Sequence, residues 1–533
     1  MISNIVLGIS TVILLCVIAQ RFSYKLGIPA LILFMFVGML FGSDGIFKIP
    51  FDDFRSAEMI CTIALIFIMF DGGFNTNWKS AKKVVYKAVS LSTLGVLLTA
   101  LITTLCCHHF LNLSYPESFL ISAVLASTDA ASVFSILKSN NLDLKEGTSS
   151  ILELESGSND PMAYLLTITA ISIMKTGQLG NVFVTIAVQL LVGAITGIIF
   201  AKIAKWILSQ KNLVVDGLDT IFIFAITMLC YALTDKLSGN AYLSVYLLGI
   251  YLGNSRIINK VKIVSFFNEI TSLLQILIFF IIGLLSFPKS MNNSILSSVI
   301  IMLILTFVSR PLMVMLLLLP QRCSLRQCLL ISWAGLRGAS SIVFAIMAVS
   351  SGISLKIDLF HIVFLVSLLS ITVQGWFLPH VSRALNMIDE MPNVFKTFND
   401  YDDESDFNFV NTTIEEGNKW IGKKVRDIEI PFGSQIMMIK RNGKTLAVKG
   451  DTIIKEKDEL VFNMESYHPG KKERLLELRM HKGNPWINLK IEDISIHDNE
   501  LIIKIFRGDE TIIPDGSTVI LQDDVLVIFK GEE

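Results

Sequence analysis

Charge is scarce in this chain. Only 17% of its 533 residues are Asp, Glu, Lys or Arg, and 46 acids against 45 basic residues leave a net charge of -1. Without a basic surplus there is no electrostatic footprint for nucleic acid, and no such partner is expected. Cysteine is thin as well: positions 16, 61, 106, 107, 230, 323 and 328 lie in or beside apolar segments without metal-ligand spacing and read as packing residues. No Gly-x-Gly-x-x-Gly is present, which removes the dinucleotide fingerprint, and no Thr-Val-Gly-Tyr-Gly, which removes one kind of channel filter. Gly443-Lys444-Thr445 lacks the upstream glycine of a P-loop, because position 438 is Met, and reads as a turn.

What is abundant is apolar. Hydrophobic residues make up 52% of the chain, with 35 Phe, and a mean hydropathy of +0.62 describes a polytopic membrane protein. Apolar windows recur near 4–21, 27–43, 56–72, 85–106, 116–137, 147–174, 180–208, 217–234, 239–254, 264–286, 294–319, 325–351 and 358–384. These are expected to cross a hydrocarbon core of about 30 Å thirteen times. The first window is too long for a removable signal peptide and lacks a basic start and a cleavage site, so it counts as a crossing. Alternate loops hold Arg21, Lys25, Lys82, Lys87, Lys145, Lys202, Lys205, Arg322, Arg326 and Arg383, among others, while the opposite set holds only Lys48, Arg55, Lys175, Lys236, Lys289 and Lys356. The N-terminus is therefore expected outside and the C-terminus in the cytoplasm.

The membrane region should span 1–386. An acidic linker follows at 387–407, and beyond it the pattern alternates apolar with polar residues as in a small soluble β-rich domain. That tail repeats at an offset of 66: Trp420-Ile421 matches Trp486-Ile487, Arg441 matches Arg507, and Asp458-Glu459-Leu460-Val461 matches Asp524-Val525-Leu526-Val527. Two copies of one αβ module are expected, at 408–466 and 474–533.

Against this apolar background two polar breaks stand out. Ser127-Thr128-Asp129-Ala130-Ala131-Ser132 interrupts the fifth window, and Glu153-Leu154-Glu155-Ser156-Gly157-Ser158-Asn159-Asp160-Pro161 interrupts the sixth. Ionisable groups at membrane depth cost several kcal/mol each, so they mark an ion pathway. Asp160 lies about thirteen residues into its window, ~20 Å along a helix and near mid-membrane. Ser156 and Asp160 share a face at i, i+4, as do Glu155 and Asn159. A third interruption, Trp333-Ala334-Gly335-Leu336-Arg337-Gly338-Ala339-Ser340-Ser341, puts an arginine in mid-bilayer. Arg337 needs a carboxylate there and Glu155 is the first choice, which leaves Asp160 to exchange. With windows one to six and eight to thirteen as inverted repeats, both broken helices occupy the fifth position of their repeat. Asp71 reads as either a funnel charge or a cap. Gln275 and Arg310 read as packing residues before functional ones, and His108 and His109 as solvated.

Phe70-Asp71-Gly72-Gly73, Ser127 to Ala131, Glu153 to Met162 and Ser332 to Ala339 together resemble motifs of the monovalent cation/proton antiporters of the CPA1 type, in particular their potassium/proton antiporter subgroup. The resemblance implies an NhaA/NhaP-like fold with crossing broken helices, and a dimer. It implies Asp160 as the cation- and proton-exchanging carboxylate, Asp129, Ser156 and the Thr128 backbone as ligands of a monovalent cation, and Glu155 pairing with Arg337. Asn159 in place of a second aspartate implies the electroneutral branch. The tail resembles the C-terminal domain of TrkA-type regulators, through Arg441 to Val461 and Arg507 to Val527; related modules bind small ligands, including cyclic dinucleotides.

The expected protein is thus a K+(Na+)/H+ antiporter of the inner or plasma membrane. Cation and proton compete for one carboxylate, no step is covalent, and no cofactor is needed beyond an optional regulatory nucleotide on the tail. A Na+-selective antiporter and a TrkA-C-regulated cation channel are the alternatives; titratable mid-membrane carboxylates suit exchange better than conduction.

Overall fold

The computed structural model describes residues 2–530 except 27–28, 77, 79–81, 83, 141, 143, 178–181, 211–217, 256, 258–259, 390–406, 429, 431–433, 442–443, 466–473, 483, 495–499 and 509. The chain forms two compact units, Met1–Asn393 and Val394–Glu533. Most of the acidic linker expected at 387–407 lies outside the described residues.

The first unit is helical. In chain order the helices are α1 (Ile2–Leu26), α2 (Ala30–Phe41), α3 (Phe54–Asn75), α4 (Val85–Leu111), α5 (Tyr115–Val124), α6 (Ala130–Ser139), α7 (Thr148–Thr176), α8 (Val182–Ser209), α9 (Asp219–Lys236), α10 (Ala241–Gly253), α11 (Lys260–Leu284), α12 (Asn292–Leu318), α13 (Leu325–Trp333), α14 (Ala339–Ser350) and α15 (Leu359–Ala384). Their starts are written locally. Asp53 accepts from the Arg55 and Ser56 amides, Ser324 from Gln327 and Asp358 from His361, while Ser114 and Glu117 close a reciprocal capping box on α5.

Among the described residues six helices are long and apolar enough to cross a membrane: α3, α4, Val184–Ser209 of α8, Lys262–Leu284 of α11, α12 and α15. They differ in what covers them. Only 17% of the apolar window of α8 is buried, against 61% for α15, so α8 leaves Leu191 and Ile195 exposed while α15 is the more covered of the two. Small residues let backbones approach closely: an added Cβ at Gly249 of α10 would stand 2.4 Å from the Phe70 carbonyl, and one at Gly283 of α11 would stand 2.1 Å from the Met35 carbonyl.

Two of the expected spans are each split in two. Residues 125–129 separate α5 from α6, and 334–338 separate α13 from α14. The stretches cross: the Asp129 amide donates to the Leu336 carbonyl at 2.8 Å. A Cβ on Gly338 would lie 2.3 Å from Asp129 Oδ2, so only glycine admits this approach. Unwound backbone survives at such depth because it bonds to other protein groups.

The second unit carries two antiparallel sheets of one design. β1 (Phe407–Thr413), β2 (Ser434–Arg441), β3 (Lys444–Ala447) and β4 (Glu459–Glu465) are ordered β1-β4-β2-β3; β5 (Arg474–Arg479), β6 (Glu500–Arg507), β7 (Glu510–Ile512) and β8 (Val525–Lys530) are ordered β5-β8-β6-β7. The register breaks between Ile436 and Met438, and 66 residues on between Ile502 and Lys504. Arg441 grips Asp458 through Nε and Nη2, both at 2.7 Å, and also donates to the Ile453 carbonyl; Arg507 repeats this on Asp524 and Val519. The αβ expectation needs correction. Among the described residues each module adds only a single 3-10 turn, Val425–Asp427 or Ile491–Asp493, and no α-helix. The loop residues Trp420, Val425 and Ile428 cover the sheet core where a helix was expected. Lys444 and Thr445 open β3 opposite Arg441 and Lys440; Gly443, read as part of a turn, lies outside the described residues.

Candidate functional site

Asp160 sits in the middle of α7, 6% exposed, where the two unwound stretches cross. Its Oδ1 accepts from the Ser127 hydroxyl, and Ser127 Oγ lies 3.0 Å from Ser340 Oγ. One hydroxyl comes from the α5–α6 break and one from the start of α14, so both broken helices hold the same carboxylate. The neighbours on α7 fasten the same break. Ser156 Oγ donates to the Thr128 carbonyl at 2.6 Å and Asn159 Nδ2 to Thr128 Oγ1 at 2.5 Å. Asp129 turns to α6, accepting from the Ser132 hydroxyl at 2.6 Å as an N-cap would.

A cavity of about 230 Å³ reaches this point along the N-terminal half of α7. Thr128, Asp129, Ser156 and Asp160 all line it, with Gln275 from α11 and Asn75 from α3. Of the residues singled out from sequence, the structure therefore brings five onto one cavity. Asp71 stands one step back: Asn75 Nδ2 links its Oδ1 at 2.9 Å to Asn268 at 3.2 Å. Three polar residues of the site escaped the sequence reading, Glu153 and Ser340 on the cavity wall and Ser127 bonded to Asp160. Glu153 was legible, because Glu153, Ser156, Gly157 and Asp160 recur at i, i+3, i+4 and i+7 on one helical face. Ser127 and Ser340 each lay inside a noted break, but 213 residues apart, with nothing local to pair them.

The expected pairing of Glu155 with Arg337 is overturned. Glu155 is held by Arg310, with Nη1 to Oε1 at 2.6 Å and Nη2 to Oε2 at 2.9 Å, the side chains being 4% and 1% exposed. Arg310 is thus more than packing: it follows a five-residue π turn in α12, Leu305–Ser309, and reaches across the break beside Gly335, where a Cβ would lie 2.7 Å from its Nε. Arg337 finds carbonyls instead. Its Nη1 donates to Leu125 at 2.5 Å and to Ser127 at 2.8 Å, just past the C-terminal end of α5. Carbonyls orphaned at a helix end, with the negative pole of its dipole, compensate a guanidinium without a carboxylate.

A buried carboxylate among hydroxyls and a freed carbonyl, at the end of a polar-lined cavity, is a place where a small cation and a proton can replace one another. Comparison with known proteins meets this geometry. The profile of the sodium/hydrogen exchanger transmembrane family matches residues 10–384. The chain belongs to the sodium/hydrogen exchanger family. TrkA-C domains match at 410–466 and 475–529, one on each sheet of the exchanger's tail. The exchanger is 31% identical to a K(+)/H(+) antiporter NhaP of Alkalimonas amylolytica, over 86% of this chain and 80% of that protein. It is 34% identical to a K(+)/H(+) antiporter NhaP2 of Shewanella sp. (strain MR-4), over 83% and 78%. The sodium proton antiporter MjNhaP1 from Methanocaldococcus jannaschii has a solved structure that superposes with a TM-score of 0.63 at 24% identity, covering 72% of this chain and 99% of that one; the membrane unit has an antiporter fold.

Proposed function

We propose that this exchanger is an electroneutral K+(Na+)/H+ antiporter in which Asp160 holds either a proton or a dehydrated monovalent cation. Cation/proton antiport with a TrkA-C tail is the activity of its family relatives and of this chain. K+ as the cargo follows from the K(+)/H(+) antiporters among them. The observation that carries the site is the Asp160 carboxylate, buried between Ser127 and Ser340 at the end of the cavity. Thr128, Asp129 and Ser156 complete the oxygen set for the cation, and Asn159 next to the single exchanging acid makes the exchange one for one.

In this reading the fifteen helices among the described residues make thirteen crossings, α5 with α6 and α13 with α14 each forming one, in two inverted repeats. The N-terminus lies outside, because the basic loops then face the cytoplasm, and the cavity opens inward. The domains run 1–386, 408–466 and 474–533, joined by the linker. The protein works as a dimer in the cell membrane, and the tail regulates exchange through a small ligand such as a cyclic dinucleotide. Asp160→Asn in proteoliposomes tests the mechanism: exchange should vanish with assembly intact, and wild-type rates would refute it. Comparing K+ with Na+ at several pH values decides the cargo, and a rate that follows imposed membrane potential at fixed gradients would contradict electroneutrality.

A further inference from the structure

Beyond Asp160 the interior closes on aromatic rings. Along α7 the cavity is lined as far as Asp160. One helical turn further, ~6 Å, Tyr164 meets Tyr242 of α10 edge-on with centroids 4.7 Å apart, and both meet Phe344 of α14 at 6.0 and 6.4 Å. The three side chains are 7%, 2% and 1% exposed.

The helices beside this layer are short. α9 and α10 have 18 and 13 residues beside 29 in α7 and 28 in α8; at 1.5 Å per residue each is at least ~15 Å shorter than α8. The end of α9 and the turn after it expose Asp235, Lys236 and Ser238, and charged groups there face water rather than lipid. Two residues beyond Ser238, Asn240 is fully buried and donates from Nδ2 to the Pro161 carbonyl at 2.7 Å. The chain therefore passes from a water-facing turn to the immediate neighbour of Asp160 within five residues. Glu58 of α3 accepts from the Ser350 hydroxyl of α14. Glu58 and Asp235 both lie within electrostatic reach of Tyr164 and Tyr231, and the Tyr231 ring packs on Tyr242 at 5.3 Å.

We propose that Tyr164, Tyr242 and Phe344 form the outer gate of the exchange pathway, one layer of rings between Asp160 and a vestibule bordered by Glu58 and Asp235. The inference rests on the antiport reading and its orientation. Ring edges packed at these distances leave no room for a cation, so the rings must part when the site turns outward. Tyrosine suits this: its apolar body seals the closed state, and its hydroxyl is at home in water when the ring swings out. The seal needs the rings and not the hydroxyls.

The test uses the full chain in proteoliposomes, measuring Rb+ or Na+ efflux together with proton uptake. Wild type should move one proton per cation. Tyr164→Ala and Tyr242→Ala should pass cation in several-fold excess over protons, whereas Tyr164→Phe and Tyr242→Phe should keep the wild-type ratio; tightly coupled Ala variants, or equally leaky Phe variants, would overturn the gate. A second arm does not depend on tolerating the small residue. With Tyr164→Cys and Tyr242→Cys combined in a chain whose seven native cysteines are replaced, and bridged by a bifunctional methanethiosulfonate that spans two ring-sized side chains, exchange should stop and return on reduction; a cross-linked protein exchanging at its reduced rate would overturn the gate equally. Wild-type vesicles without any cation/proton exchange would instead overturn the antiport reading beneath it.

Discussion

The residue that most changes the picture of this site is Arg310. Preceding a proline inside an apolar helix it resembles a structural oddity, yet it clamps Glu155 in bidentate fashion at almost no exposure. Removing one partner of such a pair strands a charge in low dielectric, at about 3–5 kcal/mol. Arg310→Ala should therefore lower the melting temperature sharply, and Glu155→Gln combined with Arg310→Gln should recover part of the loss. Equal melting temperatures for the single and double variants would show that the two side chains do not interact. Arg337→Ala gives a different signature. It frees the Leu125 and Ser127 carbonyls, each charge-assisted bond contributing about 1.5–3 kcal/mol, and no change at Glu155 should rescue it.

At the scale of elements, the site is made by two breaks crossing. Helix interiors satisfy their own backbone groups, so an element that stops in mid-membrane must find partners elsewhere, and here each break serves the other through Asp129 N–H and Leu336 C=O. The contact tolerates no side chain at residue 338, where a Cβ would come within 2.5 Å of three Asp129 atoms. Gly338→Ala should cost about 1–3 kcal/mol as overpacking and should slow exchange more than it lowers the melting temperature, since the strain falls on Asp129, proposed above as a cation ligand. Purified protein assayed by both measurements checks this; unchanged exchange would show that the crossing has slack.

For the molecule as a whole, the tail's own chemistry predicts how it responds to acid. Burial alone would push the Asp458 and Asp524 carboxyls up, but hydrogen bonds from Arg441 and Arg507 and from backbone amides outweigh it and hold both below the usual carboxylate range. A carboxyl lowered in the folded state contributes stability that is fully present above its unfolded value of about 3.9 and is lost as pH falls through the folded value. Thermal melts of residues 407–533 should therefore be flat from neutral pH to about 5 and drop below about 4, with Asp458→Asn and Asp524→Asn flattening that drop. The same unit can be separated from transport. Truncation after Asp389 should shift the pH or cation dependence of exchange in membranes holding equal protein, because a regulatory ligand acts only through its differential affinity for two states; superimposable curves would mean that the tail does not gate.

How much of this was written locally is visible residue by residue. The apolar windows coincide with helices because membrane crossing demands length and hydropathy, both local properties. The breaks at 127–132 and 333–341 announced themselves through polar and glycine residues where none is affordable, and the 66-residue repeat reappears as two sheets with the same strand order and the same Arg–Asp clamp. Partnership was another matter. Glu155 had two arginines at membrane depth to choose from, and the choice of Arg310 over Arg337 depends on which helix packs beside α7. Ser340 on Asp160, Asn240 on Pro161 and the Tyr164–Tyr242–Phe344 layer likewise join residues 79 to 180 positions apart or rings from three helices. Sequence alone determined which segments form apolar helices and where two of them break, since both follow from local composition; only tertiary packing decided which charges meet, because desolvated groups are satisfied by whatever neighbour the fold supplies.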